Sequence, residues 1–108
     1  MLIKYNINIE PKSIEVNLQR LVNQLYKLLP IREEGEDWRA PLETIIVELS
    51  GMDRLIEKEG TIFFKLLCKL EGLFLMSSED DFPLYRRTIF ECLNLVGELL
   101  KKCQDWID

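Results

Sequence analysis

From Ile14 onward the apolar residues recur every three or four positions, and that spacing limits what the chain can build more than any other feature. Ile14, Leu18, Leu21, Val22, Leu25, Leu28 and Leu29 mark one face of a first helix. Pro11 suits its opening turn and Pro30 is expected to end it. A second helix is predicted from about Pro41, turning Leu42, Ile45, Ile46, Leu49, Met52, Leu55 and Ile56 inward, with Gly51 inside it as if for a close helix crossing. A fourth helix is predicted from about Pro83 to Ile107, with an inward stripe of Tyr85, Ile89, Phe90, Leu93, Val96, Leu99, Leu100, Cys103, Trp106 and Ile107. The third, from about Thr61 to Met76, is apolar around most of its circumference, and only Lys65, Lys69 and Glu71 interrupt it. Such a helix either sits centrally in a core or binds another chain. The central position is the expectation here.

Four helices joined by short connections favour antiparallel neighbours, so the predicted fold is all-α: an up-down four-helix bundle. The 108 residues fit a single domain without internal repeat, low-complexity tract or linker, divided into an extended arm (1–10) and the bundle (11–108). This topology brings the connections 31–40 and 77–82 to one end. Glu33, Glu34, Glu36, Asp37, Glu79, Asp80 and Asp81 then form an acidic pole, opposed by Arg32 and Arg39, with Arg86 and Arg87 a turn further on. Acids before a helix offset its macrodipole, which alone explains part of the clustering. The pole also offers a docking surface for a basic partner through Glu33, Glu34, Asp37, Trp38, Glu79, Asp80 and Asp81. Trp38 would be either an aromatic anchor or a residue folded back onto the first turn of the second helix.

The opening residues follow a different period. Ile3, Tyr5, Ile7 and Ile9 alternate with Lys4, Asn6 and Asn8, the pattern of a short β-strand with one apolar face. A strand beside a helical body leaves backbone donors and acceptors unpaired. The expectation is therefore a homodimer, with Ile3, Tyr5 and Ile7 pairing across a two-fold axis; the competing reading lays these side chains in a groove between helices.

With 47% hydrophobic and 31% charged residues the composition is globular, and a net charge of −5 argues against phosphate backbones and anionic membranes. No apolar run reaches the roughly 20 residues a membrane helix needs. No secretory leader pattern opens the chain, so a cytoplasmic protein is expected. Cys68, Cys92 and Cys103 fall at or beside apolar helical positions and read as reduced core thiols. The last two stand about 16 Å apart along one helix, too far to bridge.

The chain has no histidine, which removes His-activated nucleophiles, imidazole metal ligands and the Arg-to-His pairing of helical-bundle RNases, even though Arg86-Arg87 sits where such an Arg would. The five glycines are isolated, so no phosphate loop exists. Three dispersed cysteines make no zinc site, and Ser78-Glu79-Asp80-Asp81 lacks the spacing of a calcium loop. Catalytic, cofactor and metal sites are accordingly expected to be none.

In size, helical content and acidity the chain is similar to toxin-neutralising immunity proteins, a likeness that implies neutralisation of a basic enzyme by charge complementarity. The function expected is a non-enzymatic protein–protein interaction module, a binding subunit, inhibitor or regulator. The rivals are a homo-oligomeric structural or scaffolding protein and, less favoured, an accessory subunit of a nucleic-acid-handling complex using Lys65, Lys69, Arg86 and Arg87.

Overall fold

The computed structural model describes residues 11–56 and 58–106 and contains four α-helices: α1 (Pro11–Glu33), α2 (Arg39–Leu55), α3 (Gly60–Leu73) and α4 (Phe82–Trp106), the last entered through a single 3-10 turn at Glu79–Asp81. The arm, with the expected strand and the pairing residues Ile3, Tyr5 and Ile7, lies outside the described residues, as does Ile107.

Helix α1 packs on α2 and α4, and α3 packs on the same two helices; among the described residues neither diagonal pair packs. Four cross-links set the directions. Arg20 pairs with Glu48 at 3.1 Å and Lys69 with Glu91 at 3.2 Å, while Tyr26 meets Phe90 and Arg39 reaches the carbonyl of Phe74. Each joins a residue late in one helix or its end to one early in another, so all neighbours are antiparallel. The four-helix bundle is up-down, measuring 45 × 21 × 20 Å.

The core is one apolar stripe per helix: Ile14, Leu18, Leu21, Leu25 and Leu28; Leu42, Ile45 and Leu49; Phe63, Leu66, Leu70 and Leu73; Tyr85, Ile89, Cys92, Val96, Leu99 and Cys103. Ile56, just past α2, adds to it with an extended backbone at φ −102°, ψ 127°. Val22, Leu29, Ile46, Met52, Leu93 and Leu100 flank the stripes half-buried.

Several expectations are corrected. Helix α1 runs through Pro30 for another three residues. Proline removes the amide that would bond one turn back, a cost of about 3 kcal/mol inside a helix, so the extension needs tertiary support; Arg32, described below, supplies it. The helix then stops in a Schellman motif: Gly35 takes φ +76°, its amide donates to the carbonyl of Arg32, and the amide of Glu36 donates to that of Ile31. Helix α3 is peripheral like the others. Its apolar excess faces outward: Phe64 is 67% exposed, Cys68 is exposed, and Leu75, in the turn after the helix, is 84% exposed. Helix α3 ends before Met76 because Phe74, Leu75 and Met76 bond three residues back and tighten the chain. Gly51 serves no close crossing of the described helices, since a Cβ there would meet no described residue within 4 Å.

Candidate functional site

At the pole where α1 and α3 end, Arg32 organises both connections. Its guanidinium donates to the carbonyls of Met76 and Ser78, the second at 2.8 Å. It also lies over three rings, 4.3 Å from the centroid of Tyr85, 4.9 Å from Trp38 and 5.7 Å from Phe82. A guanidinium suits this position because its flat face covers a ring while its edge donates. Arg39 does the same from the start of α2, 4.6 Å from the Trp38 centroid and 3.2 Å from the Phe74 carbonyl. Trp38 is half-buried, stacked on Phe74 and edge-on to Tyr85 at 5.1 Å.

Tyr85 is fully buried, and its hydroxyl finds no partner among the described residues. Burial pushes the phenol up to about 12, against the opposing pull of Arg32. Removal from water disfavours the phenolate more than the cation favours it.

The acids are held differently. Asp81 accepts from the amide of Ser78, whose hydroxyl accepts from the amide of Asp80, which closes a capping box ahead of α4. Asp37 accepts from the amide of Arg39. The carboxylates of Glu33, Glu34, Glu36, Glu79 and Asp80 make no ion pair and no hydrogen bond among the described residues. Glu33, Glu36 and Glu79 rim an open cleft of about 580 Å³ between the two connections, with Trp38, Phe82 and Arg32 also lining it. The arginines expected to oppose these acids turn to carbonyls and rings instead. Arg86 likewise covers the ring of Phe90 at 4.9 Å.

Of the residues singled out in the sequence, the structure therefore brings Glu33, Trp38 and Glu79 to one cleft. Glu34, Asp37, Asp80 and Asp81 lie in the segments that flank it. The sequence presents Arg32 only as a counter-charge and Tyr85 only as an inward apolar position, and it gives Phe82 no role beyond the end of a connection. Their joint role could be found in the sequence only by noting three aromatics close to connections that also carry an arginine. Among the basic residues named for nucleic acid, Lys69 pairs with Glu91 across α3 and α4, and Arg86 covers the ring of Phe90.

The three thiols divide. Cys92 and Cys103 are buried, and burial pushes them up to about 12 and about 11, Glu15 adding to the shift at Cys103. Cys68 is exposed on α3, against the expectation of a core thiol. Among the described residues no group of His, Cys, Asp and Glu could hold a metal ion, and no helix is long and apolar enough to cross a membrane. The chain matches no protein-family model, and neither a curated protein nor a solved structure is significantly similar to it.

Proposed function

We propose that this chain is a non-enzymatic interaction module that docks a basic protein on its acidic pole and acts as its binding subunit, inhibitor or regulator. One observation carries the reading: among the described residues, five carboxylates at one end of the bundle have no partner while the two nearby arginines are committed to carbonyls and rings. Unneutralised acids raise the field over the cleft and speed the approach of a cationic surface; a lysine or arginine of the partner fits a cleft with carboxylates at its rim and rings in its wall. Glu33, Glu34, Glu36, Glu79 and Asp80 are the contact residues of this reading, Asp37 and Asp81 hold the connections in shape, and Trp38 contributes its ring edge.

The test is a five-fold charge reversal of Glu33, Glu34, Glu36, Glu79 and Asp80 to Lys, which spares the capping acids. Affinity capture from source-cell extract, repeated across a salt series, should recover a basic protein with the native chain and lose it with the variant. Equal recovery by both would move the interface elsewhere.

A second reading, homo-oligomerisation, is favoured by the exposed apolar residues Phe64, Leu75 and Val47 on α3, the turn after it and α2. Sedimentation of the native chain beside Phe64→Glu tests it: a native oligomer that becomes monomeric supports this reading, and a native monomer removes it.

A further inference from the structure

The opposite end of the bundle carries a groove that the described residues leave unfilled. It lies between the start of α1 and the end of α2, encloses about 260 Å³ and has an apolar wall of Ile14, Met52, Leu55 and Ile56. The Arg20–Glu48 ion pair and Asn17 stand at its polar side. Gly51 belongs to the lining, and no atom of the described residues lies within 4 Å of a Cβ built there, which keeps this part of the wall low. At its end the backbone of Ile56 is extended, the conformation to which another extended segment can pair.

We propose that this groove is the docking site of the chain's own residues 3–9. Three facts select that occupant. The described chain starts at Pro11, one helical turn before Ile14 in the groove wall, so the preceding segment begins beside its receptor. Ten residues precede Pro11; fully extended they reach roughly 30 Å, whereas the seven residues from Ile14 to Arg20 span only about 9 Å of helix. Ile3, Tyr5, Ile7 and Ile9 alternate with Lys4, Asn6 and Asn8, so an extended segment turns one apolar edge to the wall and one polar edge to water. Tethering also raises its effective concentration at the groove to the millimolar range, above that of a second copy at ordinary protein concentrations. The proposal is independent of the acidic pole, which lies at the other end of the bundle.

Methyl-labelled full-length chain tests it by nuclear Overhauser contacts. Contacts of the Ile3 and Ile7 methyls with Met52 and Leu55 are expected, and they should vanish in Gly51→Trp, whose indole fills the groove, with helical content unchanged. A mixed sample of labelled and unlabelled chains should show none of these contacts between copies. Intermolecular contacts would mean that copies exchange the segment, absent contacts would mean an empty groove, and contacts that survive Gly51→Trp would place the segment elsewhere; each overturns the proposal.

Discussion

The two ends of this bundle solve the same problem with different chemistry. At the acidic pole the helix ends are held by directional groups: one guanidinium on two carbonyls and three rings, a second on Trp38, a Schellman turn and a capping box. At the other end the described residues offer an extended Ile56, a groove and, ahead of α3, Glu59 in the left-handed region at φ 63° with no side-chain cap. The first end is shaped by its own directional contacts. The second is shaped by apolar surface, whose hold is non-directional. The contrast teaches that directional contacts and charge coincide at one pole, the combination that the proposed docking surface would use.

The comparison breaks most severely at Arg32. Arg32→Ala removes two charge-assisted hydrogen bonds and the cover over Tyr85, and should cost about 3 kcal/mol in chemical denaturation. Arg32→Lys should recover less than half, because an ammonium cannot stack and bridge two carbonyls together. Full stability in Arg32→Ala would show that the pole is held by apolar packing like the other end.

Alkali should affect both ends. Tyr85 at one end, Cys103 towards the other and Cys92 between them all have raised values in the fold, so each remains protonated where the unfolded chain has begun to ionise. Unfolding then releases protons, and stability falls as pH rises: it is intact about a unit below the unfolded thiol value of 9.0, where those thiols are still neutral, and lost progressively towards about 11 to 12. Thermal melts should decline as pH rises through that unfolded value. Cys103→Val and Tyr85→Phe should each flatten the decline, and Tyr85→Phe should also add about 1 kcal/mol near neutrality by deleting a buried hydroxyl that has no partner among the described residues.

Glycine distinguishes the ends more gently. Gly35→Ala should destabilise by about 1 kcal/mol because its φ of +76° crowds a Cβ. Gly51→Ala should stabilise by up to about 1 kcal/mol, since helix propensity improves and no described residue comes within 4 Å of the methyl. Opposite signs in paired melts are the expected result. The smallest effect is chemical: one thiol, Cys68, should react promptly with a disulfide reagent in the native protein, and all three after denaturation.

How far the molecule was legible in its residues follows from the range of each interaction. Leu18, Leu21, Leu25 and Leu28 announce their buried face by spacing alone, and all four helices follow from that signal. Pro30 misleads because the local penalty is met by Arg32 contacts 44 and 46 residues away. α3 misleads because its outward Phe64 and Cys68 carry the same apolar signature as buried residues. The collection of acids was readable from topology, but the direction taken by Arg32 and Arg39 was not. It depends on carbonyls exposed where α3 and its following turn end, and no pairing of charges along the chain encodes those.

The packing order has a consequence for synthesis. Helix α1 lies against α2 and α4, so half of its apolar stripe has no cover until residues beyond Phe82 have been made. A nascent chain ending after α3 would hold Leu18, Leu21 and Leu25 with one flank in water, and the closing contacts join residues more than forty positions apart. Cooperative folding is therefore expected to wait for α4, and a chain cut short before it should leave that apolar flank of α1 in water.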